Sequence, residues 1–106
     1  MSTLKKILLI DDDPDLREAL ADQLVLTEEF DVFEGENGAE GVNRAKEQLH
    51  DLVILDVGLP DMDGREVCRL LRKGGVRCPI IMLTGHDSDS DTILGLDAGA
   101  NDYITK

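Results

Sequence analysis

Three features of the chain predict an α/β fold on a five-stranded parallel sheet. Continuous apolar runs of strand length alternate with longer amphipathic stretches. The runs lack the polar–apolar alternation of a half-solvated strand, so they suit strands covered on both faces. The length, 106 residues, fits one domain with a real core. Parallel strands joined by helices imply right-handed crossovers.

The first strand is Lys6-Ile7-Leu8-Leu9-Ile10. Asp13 then caps a helix opening at Pro14, whose missing N–H costs nothing at a first helical position, and Leu16, Leu20 and Leu24 recur at i, i+4. Phe30-Asp31-Val32-Phe33 is a more polar run, suited to an outer strand. Ala39, Val42, Ala45 and Leu49 give the second helix a narrow apolar stripe, and Leu52-Val53-Ile54-Leu55 is the third strand. Val67, Leu70 and Leu71 mark a third helix that Gly74-Gly75 ends. Pro79-Ile80-Ile81-Met82-Leu83 is the fourth strand. Ile93, Leu96 and Ala100 predict a fourth helix capped by Ser88 or Ser90, weakened by Gly95. Tyr103-Ile104-Thr105 is the second outer strand, completing βαβαβαβαβ.

Composition excludes several classes of function. Eleven Lys and Arg stand against 23 Asp and Glu, a net charge of −12, which disfavours non-specific binding to nucleic acid or to an anionic membrane. With 42% hydrophobic residues the chain can bury enough surface to order itself. No apolar run is long enough to span a bilayer, and Ile7-Leu8-Leu9-Ile10 is too short for a signal-peptide core. Cys68 and Cys78 lack metal-site spacing and read as reduced thiols of a cytoplasmic protein. The segments around Asp11-Asp12-Asp13 and Asp61-Met62-Asp63-Gly64 are not EF-hands, because leucines occupy obligatory glycine or ligand positions.

In an open α/β sheet, ligands bind beyond the carboxyl ends of the strands. There the chain places Asp11-Asp12-Asp13 after strand 1, Asp56 after strand 3, Thr84 after strand 4 and Lys106 after strand 5. Singly, each acid is an ordinary helix cap or solvated loop residue; together they form a pattern. Carboxylates on adjacent strand ends repel by about 4 kcal/mol per pair at about 4 Å and an effective dielectric near 20, so a cation is expected among them. Hard oxygen ligands without His or Cys point to Mg²⁺.

Four segments, Ile10-Asp11-Asp12-Asp13-Pro14-Asp15-Leu16-Arg17, Leu55-Asp56-Val57-Gly58-Leu59-Pro60-Asp61-Met62-Asp63-Gly64, Met82-Leu83-Thr84-Gly85 and Gly99-Ala100-Asn101-Asp102-Tyr103-Ile104-Thr105-Lys106, closely resemble the receiver domain of two-component response regulators. The likeness covers essentially the whole chain. It implies a doubly wound, flavodoxin-like sheet of order 2-1-3-4-5. It implies that Asp56 accepts a phosphoryl group from a histidine kinase or histidine phosphotransfer protein. Mg²⁺ would be held by Asp12, Asp56 and the backbone carbonyl of Gly58, with Asp11 acting through water. Thr84 and Lys106 would bind phosphoryl oxygens, and Tyr103 would be an aromatic switch following Thr84. Gly58 and His86, each two places after a key residue, would modulate hydrolysis of the acyl phosphate, although a lone loop histidine is also simply solvated. Asp63 and Gly64 are read as structural.

The chain departs from that pattern in ending at Lys106, without the fifth helix of the family. Residues 1–106 are therefore expected to be a fragment of a longer regulator, or a domain whose open sheet face a partner or second copy covers. The stretch Gly95–Tyr103 looks most like receivers of winged-helix transcription regulators, yet Thr92 stands where their dimer-forming Arg is expected, which leaves a homodimer open. Two other classes compete. A Mg²⁺-dependent phosphohydrolase with an aspartyl-phosphate intermediate needs a second carboxylate where Gly58 stands. A pseudo-receiver serving only as an interaction module has no need of the acidic set.

Overall fold

The computed structural model of the chain describes residues 4–85 and 99–105. The elements run β1 (Lys5–Ile10), α1 (Pro14–Leu26), β2 (Phe30–Gly35), α2 (Gly38–Glu47), β3 (Leu52–Asp56), α3 (Gly64–Lys73), β4 (Ile80–Thr84) and β5 (Asp102–Thr105). All neighbouring strands are parallel, in the order β2-β1-β3-β4-β5. Five strands and three helices thus stand where the apolar pattern predicts them. The predicted fourth helix lies outside the described residues, as do His86, Thr92 and Lys106. Among the described residues no helix is long and apolar enough to cross a membrane.

Each helix starts on a side-chain cap. The Asp13 carboxylate accepts from the N–H of Asp15 at 3.0 Å and Leu16 at 3.3 Å, and Pro14 follows at the first helical position. Asn37 accepts from the Glu40 N–H at 2.8 Å, and Asp63 from the Arg65 N–H at 2.8 Å. Gly74 caps the end of α3, and Gly75 turns with a left-handed φ of 97°.

The core lies mainly between the sheet and the α2–α3 layer. Leu8 and Ile10 of β1, Val53 and Leu55 of β3, and Ile80 and Met82 of β4 pack against Val67, Cys68 and Leu71 of α3. Truncating a leucine in such a core costs about 2–5 kcal/mol. On the other face Ile7 and Leu9 are buried, but Leu52, Ile54, Ile81 and Leu83 are half-buried and Ile104 is 45% exposed.

Two apolar stripes differ from expectation. In α2, Ala39 is exposed, and the buried positions are Gly38 and Gly41. The helix lies so close to β1 that a Cβ on Gly41 would sit 2.5 Å from Ile10 Cδ1. Leu49 is not part of the stripe: the backbone turns extended at Gln48, swinging Leu49 out to 88% exposure. In α3, Cys68 takes the inward place expected of Leu70, which is 38% exposed.

Candidate functional site

The sheet carries its chemistry at the carboxyl end. Asp11 follows β1 directly, and its backbone N–H donates to the Gly35 carbonyl at 3.1 Å, extending the β1–β2 ladder to the site. Asp56 is the last residue of β3, and the next N–H, of Val57, donates to the Leu83 carbonyl at 2.9 Å. Backbone pairing therefore fixes where both carboxylates begin. Thr84 ends β4 one register step beyond Leu83, the pairing partner of Asp56.

Asp11, Asp12 and Asp56 each offer a carboxylate oxygen, and these oxygens lie within 4.8 Å of one another. Asp11 is fully buried and Asp56 is 5% exposed, whereas Asp12 faces solvent. Like charges gathered this closely repel strongly in a partly buried site, and binding a small hard cation relieves that repulsion. The all-oxygen donor set, with one exposed member leaving room for water, fits Mg²⁺ better than a softer metal. A cleft of about 370 Å³ bordered by Asp12, Arg17, Glu36 and Pro60 opens beside it.

The surrounding loops are tied down individually. The Asp11 carboxylate accepts from the Asp13 N–H at 2.9 Å and that of Asp56 from the Gly58 N–H at 3.3 Å. Arg17 Nη1 donates to the Asp11 carbonyl at 2.6 Å, and its Nε pairs with Glu34 at 3.0 Å. α1 and β2 are thereby fastened to the backbone of the acidic turn. Gly64 packs α3 onto the strand end; a Cβ there would strike the Asp56 carbonyl oxygen and lie 2.7 Å from Val57 Cα. Its N–H donates to the Val57 carbonyl at 2.9 Å. Asp63 caps the same helix, and its bond to the Arg65 side chain holds its carboxyl below the usual carboxylate range.

Asp61, in the loop between β3 and α3, reaches across to α2. Its two oxygens accept from the N–H of Gly38 at 2.8 Å and Ala39 at 2.9 Å, and these bonds lower its pKa, Ala39 contributing most. The loop carrying Gly58 is thus anchored to a second helix. Nothing in the sequence pattern marks Asp61 or Arg17 for these tasks. An acid in the loop three residues before α3 and an Arg in the first turn of α1 have many alternative partners, and only the tertiary crossing selects one.

Of the sequence-predicted residues, Asp11, Asp12 and Asp56 come together, and Thr84 is buried (2% exposed) on the adjacent strand end. Gly58 is exposed, with no described atom within 4 Å of where a Cβ would project. Tyr103 on β5 pairs in register with Met82 and packs half-buried against the core, its buried hydroxyl having no hydrogen-bond partner among the described residues.

A family model described as the response regulator receiver domain matches residues 7–106. The alkaline phosphatase synthesis transcriptional regulatory protein PhoP of Bacillus subtilis (strain 168) is 42% identical over 102 residues, covering 96% of this chain and 42% of that protein. The chain thus spans about two-fifths of that relative. Among solved structures, the BeF3-activated N-terminal receiver domain of Klebsiella pneumoniae RstA superposes with a TM-score of 0.89 at 39% identity, covering 96% of this chain and 86% of that one. A CheY-like receiver domain protein from Methanospirillum hungatei JF-1 gives 0.89 at 32% identity, covering 98% and 82%. With its strand order, its acidic strand ends and these matches, the chain belongs to the response regulator receiver family.

Proposed function

We propose that the chain is a phosphorylation-dependent switch that accepts a phosphoryl group onto Asp56. The donor is the phosphohistidine of a histidine kinase or histidine phosphotransfer protein in the cytoplasm. One observation carries this reading: three carboxylates within 4.8 Å at the strand ends, beside the buried Thr84. Transfer breaks the P–N bond of the donor and forms an O–P bond to an Asp56 carboxylate oxygen. The imidazole leaves with the bonding pair and is protonated.

A carboxylate is a modest nucleophile, so rate must come from positioning and from electrostatics. Asp56 is held by the Gly58 N–H and by the strand end beneath it. Asp12, Asp56 and the backbone carbonyl of Gly58 would hold Mg²⁺, with Asp11 acting through water. When bound, the ion offsets negative charge on the phosphoryl oxygens. The Thr84 hydroxyl donates to a phosphoryl oxygen, and the Lys106 ammonium, assigned from the sequence pattern, pairs with another.

The output is a shift in population at the β4–β5 edge. The inward Tyr103 ring gains packing, but its hydroxyl has no partner among the described residues, and a buried unsatisfied hydroxyl costs about 1–3 kcal/mol. That cost opposes the packing gain, and a change of contacts at Thr84 then redistributes the ring between inward and outward positions. This surface then controls an output domain or partner, by analogy with the transcriptional regulator that the chain matches. The protein acts on no external metabolite. Gly58 supplies no carboxylate where a phosphohydrolase needs its second acid.

Incubation with acetyl phosphate, with and without Mg²⁺, and intact-mass measurement tests the proposal. The expected result is a Mg²⁺-dependent gain of one phosphoryl group that Asp56→Asn abolishes. No mass gain, or a gain that survives Asp56→Asn, overturns it.

A further inference from the structure

Positive charge is concentrated in one part of this acidic chain. Residues 44–77 hold seven of the 11 Lys and Arg against six of the 23 acids, a net +1, so the remaining residues carry −13. At the amino-terminal edge of the sheet, the ends of α2 and α3 face one another across two adjoining cavities of about 340 and 310 Å³. Both are lined by Ala45, Leu49 and Val76, which makes them one groove. Leu49 lies on it with 88% of its surface exposed.

Lys46 borders one cavity and Arg77 the other, and Lys73 stands in the last turn of α3. None of these three cations forms an ion pair among the described residues. Of the nearby acids, Asp51 lines the first cavity but accepts from the Lys6 backbone N–H at 2.7 Å, and Glu47 lies 3.9 Å from Arg44. Cations in a last turn ordinarily complement the helix dipole. That accounts for Lys46 and Lys73 but not for Arg77, four residues beyond α3, nor for an exposed leucine between them.

We propose that this groove docks an acidic amphipathic peptide segment of a partner protein. Its apolar side chain would pack between Leu49 and Val76, and its carboxylates would meet Lys46, Lys73 and Arg77. Charge complementarity selects that occupant. A second copy of the chain brings a net −12 against another −12, and a nucleic-acid backbone gains little from an apolar floor. The groove lies at the strand starts, Leu52 and Ile80, while Asp56 and Thr84 stand at the other ends of the same strands. It therefore works or fails independently of phosphorylation.

Selection of a random-peptide phage library on the whole chain, followed by affinity measurement on resynthesised peptides, tests this. Enriched peptides should be net negative with one or two large apolar residues. Their amide-shift footprint should fall on residues 45–50 and 74–78. Binding should weaken about tenfold in Leu49→Ser and in Arg77→Glu, both at the surface, and severalfold from about 50 to about 300 mM NaCl. Failure to enrich any peptide, enrichment of neutral or basic ones, a footprint elsewhere, or equal binding by the variants overturns it. Self-association in sedimentation that Leu49→Ser abolishes overturns it in favour of a second copy.

Discussion

The two ends of the parallel sheet use charge in opposite ways. At the carboxyl end, Asp11, Asp12 and Asp56 gather like charges within 4.8 Å, an arrangement that favours an external cation. At the amino end, one cation is consumed by the chain itself. Arg72 donates from Nε to the Gly99 carbonyl at 3.0 Å, from Nη1 to the carbonyls of Val76 at 3.0 Å and Cys78 at 2.7 Å, and from Nη2 to Asn101 Oδ1 at 2.6 Å. That oxygen also accepts from the Ile80 N–H at 2.9 Å. Charge that builds the fold is matched by its own neighbours; charge that builds a site is set against its like.

The largest expected effect follows from that contrast. Arg72→Ala removes the Arg72 donor from three carbonyls and one of the two donors to Asn101 Oδ1, and the loss should be about 3 kcal/mol by urea unfolding. Mg²⁺ affinity, measured by calorimetry on the folded fraction, should change less than threefold, roughly 0.6 kcal/mol. A large loss of Mg²⁺ affinity with little loss of stability would show that the two ends are not separable.

Gly64→Ala reverses the pattern. A Cβ there strikes the Asp56 carbonyl, so α3 must back away from the strand end. Overpacking of this kind costs about 1–3 kcal/mol, and it should also slow phosphoryl uptake from acetyl phosphate by displacing Asp56. Uptake at the wild-type rate would mean that the strand end holds Asp56 without help from α3.

How much of this was legible in the sequence divides along the same line. Strands appear as continuous apolar runs because burial on both faces leaves no room for alternation. Asp11, Asp56 and Thr84 are visible because each directly follows such a run. Arg72 is not visible, since its value comes from carbonyls 4, 6 and 27 residues away that converge only after folding. Gly41 is hidden for a related reason: counting apolar side chains overlooks a helix that buries itself by having none. Leu49 falls outside the stripe that its spacing predicts because an extended Gln48 ends the helical period two residues early.

Acid should loosen the two ends in sequence. His50 packs edge-on against Phe33 with ring centroids 5.4 Å apart, and burial, then Lys6, lowers its pKa from 6.5. The folded chain therefore binds fewer protons here than the unfolded chain. The associated stability is complete above pH 6.5 and is lost as pH falls through the lowered value. Asp61 and Asp63 are depressed from 3.8, so their contributions persist above that pH and are lost only below it. Urea midpoints followed from about pH 7 to about pH 3 should fall in two stages. His50→Phe should remove the first stage and Asp61→Asn should diminish the second. A single stage untouched by His50→Phe would refute the separation.

The smallest effect on stability, and the sharpest on function, is expected at Gly58. Among the described residues no atom lies within 4 Å of where its Cβ would project, and the residue is exposed, so Gly58→Asn should change stability by less than about 0.5 kcal/mol. An Asn side chain there, two residues from Asp56, would nevertheless be long enough to extend toward the oxygens that water must approach to hydrolyse an acyl phosphate. A polar group there can orient or obstruct that water without touching the acceptor. The decay of the phosphorylated chain, followed by intact mass after removal of donor, should therefore shift severalfold while the extent of phosphorylation stays the same. An unchanged decay would show that the space above Gly58 is not the path of the attacking water, and would move attention to the turn after Thr84.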